Sequence, residues 1–262
     1  MHCAMSDLRN FLVLLALIAS PALAAGTVET ASMTALATSM KEAKRSNGFE
    51  ARMNVSTTVA GASRVLKISV VGQFLAGRER LLIRGISPPE IRNRYVAAER
   101  SADGQIRAIE YGENIADGHG EANPFARLFD SELVLWDMFG AWWDWPSQIQ
   151  RETEKSAARD CTQVRSLVDA VTSPIREVIS CVDLDGRLSL TTQLFGNRHM
   201  LIRTISVEKT IRKDSGWKAA KRLTITGADG SVSEIEVYSG DEHYAVPPET
   251  FARLEYALAA NK

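Results

Sequence analysis

Four histidines and three cysteines are the side chains of this 262-residue chain with the most ready chemistry near neutral pH. A histidine acts as a base or metal ligand only with partners within hydrogen-bond reach. His2, His119, His199 and His243 are far apart in sequence; Glu242-His243 near Asp241 could form an acid–base pair, but it sits in what reads as a turn. Asp183-Leu184-Asp185-Gly186 starts like a calcium loop, but the later ligands and the closing glutamate are missing. It reads better as a hairpin turn. Asn54-Val55-Ser56 fits a glycosylation sequon but falls inside a strand pattern. There is no Gly-x-Ser-x-Gly elbow, His-Glu-x-x-His pair, phosphate-binding Gly-Lys-Ser/Thr loop or Rossmann glycine pattern. The expectation is therefore no catalytic residue, no cofactor and no metal site, with a hydrolase as the weakest reading.

The cysteines point to a redox compartment. Cys3 precedes an apolar run, Phe11 to Ile18, that follows Arg9 and leads into Pro21 and Ala22-Leu23-Ala24. This is the pattern of a secretory leader over residues 1–24, cleaved after Ala24 or Ala25, and the run is too short to span a bilayer. Residues 25–262 then form a single exported, soluble domain in the periplasm. There Cys161 and Cys181 make an even pair, for which an oxidising compartment favours a disulfide. Cys161 to Val168 and Ile175 to Asp183 read as strands around the turn Asp169 to Pro174, a fold that sets 161 opposite 181. Two buried free thiols are the alternative. The net charge of −1 supplies no field to attract nucleic acid or an anionic surface to the molecule as a whole.

The elements that must position any site are mostly strands. Met33, Leu36, Met40 and Ala43 recur at helical spacing within Thr30 to Arg45, and Asn47-Gly48 ends that helix. Period two follows. Phe49, Ala51, Met53, Val55 and Val59 alternate with polar residues, as do Leu66, Ile68 and Val70. Turns at Gly61-Ala62-Ser63, Gly77, Pro88-Pro89 and Asp103-Gly104 divide the first half into a meander. After the cysteine hairpin, strands over 188–194, 200–211, 219–226 and 232–238 form a second meander, with a last helix over 249–259. About ten strands with three helices is too helix-poor for a parallel α/β fold. The fold class expected is mainly β (α+β): a curved antiparallel sheet, or half-open β-barrel, with helices packed in its concave face. A sandwich is the competing architecture.

Between the meanders lies the most apolar segment. Trp136, Trp142, Trp143 and Trp145 fall within ten residues. Asp130-Ser131-Glu132 reads as an N-cap for a helix over 131–143, ended by Pro146. That helix is apolar nearly all round, so it is buried or lies between two apolar surfaces. Set inside a curved sheet, it makes one wall of a candidate apolar cavity through Leu133, Trp136, Phe139, Trp142 and Trp143. Met53, Val55, Leu66, Ile68 and Val70 make the other. Plain core filling is the competing reading for each tryptophan.

The order of elements resembles the outer-membrane lipoprotein-sorting proteins, the LolA-like periplasmic carriers. The resemblance runs from about Phe125 to Leu254. It rests on Phe129-Asp130-Ser131-Glu132-Leu133, the Cys161 strand, Val182-Asp183 and Ser215-Gly216-Trp217-Lys218, and on the ending His243-Tyr244-Ala245-Val246-Pro247 with Phe251-Ala252-Arg253-Leu254. The N-terminal half departs from it, with Asn93 where family members often carry glycine. The resemblance implies a half-open barrel whose apolar cavity shields a lipid or lipoprotein acyl chain, in outer-membrane lipoprotein sorting, with no catalytic residues. It also implies an inner-membrane donor and an outer-membrane acceptor as protein partners. A non-transporting envelope scaffold of the same fold, with a filled core, is the second class of function.

Overall fold

The computed structural model describes residues 33–41, 47–112, 120–150, 161–168, 173–213 and 216–260. The leader expected over 1–24, both ends of the helix expected over 30–45, and His119 lie outside the described residues.

A helical segment, α1, covers 33–41. Six strands follow: β1 (Gly48–Val59), β2 (Ala62–Leu75), β3 (Arg78–Ser87), β4 (Tyr95–Ser101), β5 (Ile106–Tyr111) and the two-residue β6 (Gly120–Glu121). After a crossing segment that contains α2 (Leu135–Phe139) come β7 (Ser147–Gln150), β8 (Thr162–Leu167), β9 (Glu177–Asp183), β10 (Leu188–Phe195), β11 (Leu201–Arg212), β12 (Lys218–Gly227) and β13 (Val232–Asp241). A last helix, α3 (Ala252–Ala260), ends the described chain.

The thirteen strands among the described residues form one antiparallel sheet in the order β6-β5-β4-β3-β2-β1-β13-β12-β11-β10-β9-β8-β7. The chain walks outward from the middle to one edge, crosses to the other edge, and walks back until β13 pairs with β1. The short edge strands β6 and β7 do not pair, so the curved sheet stays unclosed. This is the mainly β, half-open architecture expected, with the shortest two strands too brief to register as sequence patterns.

Alternation sets the two faces. On the inner face Met53 lies opposite Ile68, Val55 opposite Leu66, Val70 opposite Ile83, and Leu81 opposite Ala98. These residues are buried in one cluster with Leu128, Phe129, Leu133, Leu135 and Phe139 of the crossing segment. Each large aliphatic side chain removed from water there contributes roughly 1.5–3 kcal/mol. A second inner cluster joins Met33, Ala37 and Met40 of α1 and the tryptophans to Val164, Val178, Val182 and Leu194 of β8 to β10.

The C-terminal helix takes the other face. Phe251, Leu254 and Ala257 pack on Ala97, Ile109 and Tyr111, which point away from the inner cluster. Arg80 pins it by pairing with Glu99 at 3.0 Å and Glu255 at 2.8 Å, with its guanidinium 5.5 Å from the Phe251 ring centre. Asn93 has φ 60°, a left-handed conformation that asparagine tolerates and glycine adopts freely.

The central helix is much shorter than its sequence pattern suggests. Leu128–Asp130 form a 3-10 turn in which Phe129 and Asp130 both have φ 52°, Ser131 is extended, and Val134 bridges to Arg127. Only Leu135–Phe139 are α-helical; Gly140 then turns left-handed, and Ala141–Asp144 form a second 3-10 turn. Asp130 does not cap α2, whose N-cap is Val134. Tertiary packing accounts for the difference. A straight helix shows its apolar residues all round, whereas this broken strap turns Leu133, Leu135 and Phe139 into one cluster and Val134, Trp136, Trp142 and Trp143 into the other.

Candidate functional site

The strap over 122–146 lies on the inner face and is held by polar groups along its length. At one end Arg127 pairs with the buried Glu132 at 2.7 Å and with Asp229 at 2.7 Å, and it donates to the Ser231 hydroxyl. The Glu132 backbone N–H donates to Ser233, whose hydroxyl donates to Thr57. Arg64 donates to the Phe129 carbonyl and pairs with Asp130 at 3.0 Å, and Arg94 lies 5.5 Å from the Phe129 ring centre. Such partners over-determine the left-handed backbone at Phe129, a conformation that costs of order 1–3 kcal/mol. In the middle, Asp137 of α2 pairs with Arg203 of β11 at 2.6 Å, both side chains buried. Burial pushes the Asp137 carboxyl up to about 6, more than the Arg203 charge and hydrogen bond pull it down, and the Glu132 charge adds to the rise. At the far end Asp144 pairs with both Lys41 of α1 and Arg100 of β4. Burial pushes that carboxyl up, but the two cations outweigh it and hold it below the ordinary carboxylate range.

Between these latches sits the aromatic cluster. Trp136 lies 5.8 Å from Phe125, 5.6 Å from Trp142 and 5.8 Å from Trp145, ring centre to ring centre. Trp142 and Trp143 are buried; Trp145 is half-buried. Phe125, Trp136 and Trp145 face a cleft of about 400 Å³ beside the β4–β5 turn and Val168.

All ten residues expected to wall an apolar cavity are buried. Met53, Val55, Leu66, Ile68, Val70, Leu133 and Phe139 fall in the first inner cluster, and Trp136, Trp142 and Trp143 in the second. The strap packs directly on the strand residues, so the two sets share an interior and do not face each other across an open space.

The open space lies further along the same face. Pairing of β12 with β13 stops at Arg222↔Glu236, while β11–β12 continues to Arg212↔Lys218 and β1–β13 to Glu50↔Asp241. The sheet therefore forks. Register shifts at the same level skip Glu208, Lys221 and Tyr238 in the Cα pairing of their strands, and bulges of this kind bend strands and increase their twist. A groove of about 520 Å³ fills the fork, walled by Phe49, Ala51, Ile211, Ala219, Val237 and Tyr238. Phe49, Ala51 and Val237 also pack against the first inner cluster, so the groove continues the apolar interior to solvent. Lys213 and Lys221 stand on its rim with Glu50, Asp241 and Glu242. The alternation of Phe49 and Ala51 with Met53 was visible in sequence and could have extended the candidate wall to them. The fork leaves no such trace.

Among the described residues weighed for chemistry, His199 and Asp183 have structural side-chain partners. The His243 backbone N–H donates to Asp241 Oδ1 at 2.8 Å, which closes a turn. His199 stacks on Phe195, with 4.2 Å between ring centres, and meets Glu177 at 2.9 Å. Asp183 accepts from the Gly186 N–H at 2.9 Å and pairs with Lys218 at 2.7 Å, as a hairpin turn requires. Cys161 and Cys181 form a disulfide with Cα atoms 5.4 Å apart. The strands pair with Gln163, not Cys161, opposite Cys181, two residues from the register expected, so the bridge runs diagonally off the start of β8.

An unclosed antiparallel sheet with an apolar strap across its inner face defines a half-open barrel. Similarity to solved structures agrees. A domain from Vibrio parahaemolyticus, provisionally named as outer membrane lipoprotein-sorting, is 11% identical over 86% of this chain and 98% of its own, with TM-score 0.77. A DUF1329 family protein from Desulfovibrio piger is 14% identical over 85% and 97%, with TM-score 0.76. A LolA superfamily protein from Nitrosomonas europaea is 13% identical over 84% and 96%, with TM-score 0.66. No family model and no curated protein sequence matches the chain. At these identities the likeness establishes the fold.

Proposed function

We propose that this protein is a periplasmic, non-enzymatic binder or carrier of lipid or lipoprotein acyl chains in outer-membrane lipoprotein sorting. The observation that carries the reading is the continuity of the apolar interior with the groove in the fork, through Phe49, Ala51 and Val237. A volume of about 520 Å³ is of the size that ligand sites have. Binding needs no polar motif, since apolar burial contributes roughly 25 cal/mol per Å². An acyl chain lies first in the groove and reaches Met53, Val55, Leu66, Ile68 and Val70 when the strap carrying Leu133, Trp136, Phe139, Trp142 and Trp143 lifts. The leader read over residues 1–24 supplies the export. The donor is then an inner-membrane protein and the acceptor an outer-membrane one.

The close packing of all ten residues favours the second reading, an envelope scaffold with a filled core. Titration of delipidated protein with a fluorescent fatty-acyl probe separates the two. A carrier binds saturably, and Ala51→Trp, which fills the groove, abolishes binding while the fold persists. Absence of binding by the delipidated wild type refutes the carrier and leaves the scaffold.

A further inference from the structure

The outer arm of the fork has a composition unlike the rest of the chain. Residues 209–222 carry six cations, Lys209, Arg212, Lys213, Lys218, Lys221 and Arg222, and one acid, in a protein whose net charge is −1. None of the described residues in this stretch is buried, because β12 leaves β13 at Arg222 and the hairpin continues alone. Some of its charge is answered: Lys213 by Glu242 at 3.5 Å, Lys218 by Asp183 at 2.7 Å and Arg222 by Glu236 at 3.2 Å. Among the described residues, Lys209, Arg212 and the neighbouring Arg187 have no carboxylate within ion-pair distance; Arg212 donates only to the Gly216 carbonyl, and Arg187 lies 4.6 Å from the Trp217 ring centre.

Apolar side chains stand among these cations. Ile211 is 45% exposed, Tyr238 46% and Leu184, in the adjoining β9–β10 turn, 52%. The Gly186 carbonyl accepts from the Lys218 N–H, tying that turn to the arm. Exposed apolar residues interleaved with unpaired cations are what an interfacial membrane contact requires: the apolar groups enter the headgroup boundary and the cations meet anionic lipid.

We propose that the β11–β12 arm, with the β9–β10 turn, docks the protein on an anionic bilayer surface. Charge complementarity selects this occupant over an apolar protein face, since the cations Lys209, Arg212 and Arg187 would otherwise be desolvated without partners. The arm also forms one wall of the groove, so docking brings the groove's rim to the lipid headgroups. The docking itself does not depend on acyl-chain binding.

Flotation with vesicles tests it, using delipidated full-length mature protein. Vesicles of phosphatidylcholine with phosphatidylglycerol should bind the protein and release it as salt rises, and phosphatidylcholine alone should not. Each cation near an anionic surface contributes about fivefold to partitioning. Lys209→Gln with Arg212→Gln should therefore weaken binding on the order of 30-fold, and Ile211→Ser should weaken it further. Lys67→Gln with Arg92→Gln, exposed cations elsewhere, should have no effect. Melting curves of each variant verify folding. Equal binding to both vesicle types, no binding to either, or an equal loss in the Lys67 and Arg92 variant overturns the proposal. Probe binding that persists in Lys209→Gln, a residue outside the groove lining, while vesicle binding falls, separates the failure of docking from the failure of the carrier reading.

Discussion

Removing the Arg203 guanidinium should destabilise this protein much more at neutral pH than in mild acid. Asp137 has its carboxyl pushed up to about 6 from an ordinary 3.8, first by burial, against the pull of Arg203. A raised acid binds its proton more tightly when folded. Its stabilising share is fully present below about 3.8 and lost as pH rises through about 6. A shift of roughly two pKa units amounts to about 3 kcal/mol. In Arg203→Met the carboxylate at pH 7.5 stays buried without its cation, which costs about 3–5 kcal/mol. At pH 4.5 Asp137 is already protonated in the fold, and most of that cost disappears.

Urea denaturation of wild type, Arg203→Met and the double variant Asp137→Leu/Arg203→Met, at pH 4.5, 6 and 7.5, measures this. The absolute profile mixes several groups. Asp144, Glu177 and Asp183 are each held below the ordinary range by their cationic and hydrogen-bonding partners, despite burial, so they lose stability as pH falls. Differences between variants isolate Asp137. The double variant, which removes both charges, should be within about 1 kcal/mol of wild type at pH 7.5 or more stable than it. Equal cost of Arg203→Met at pH 4.5 and 7.5 would mean that lost packing, not an unpaired charge, destabilises it. A double variant no better than the single one would refute the reasoning as well.

Three further outcomes are expected. Gly72→Ala sets a methyl 2.0 Å from the Phe49 ring, which must leave its stack on Phe74; the cost should be about 1–3 kcal/mol in urea denaturation, and acyl-probe affinity should fall because Phe49 walls the groove. Reducing the Cys161–Cys181 bridge should cost about 3 kcal/mol in the chain-entropy model, read as a lower denaturation midpoint with reductant, and an unchanged midpoint would show that the bridge adds nothing. Glu132→Gln weakens the side-chain lock with Arg127 and Ser231; amide exchange over 127–134 should quicken while α3 stays protected, and uniform quickening would mean that the whole fold loosened.

What could be read in the sequence follows from periodicity. The strands of the first meander, the return meander, the last helix and the cysteine hairpin all show local patterns: alternation, turn dipeptides and a proline before the helix. The inner-face residues Met53, Val55, Leu66, Ile68 and Val70 followed from alternation alone, because a one-residue slip would turn every one of them to the outer face. The strap escaped the same logic. Residues 131–143 look like one helix because nearly every position is apolar, and burial on all sides is compatible with any backbone. The left-handed turns at Phe129 and Gly140 are chosen by what lies beneath and beside them: Arg64, Arg94 and the two inner clusters. The fork is less legible still. Its bulged residues, Glu208, Lys221 and Tyr238, sit in runs that alternate no worse than their neighbours, and only the three pairings among β11, β12, β13 and β1 reveal that the β11–β12 hairpin has left β13. Yet the cations of 209–222 were present in the sequence throughout. Net charge hid them, since a chain at −1 reads as having no field; it is the hairpin's departure from the sheet that gathers them on one projecting arm beside the groove.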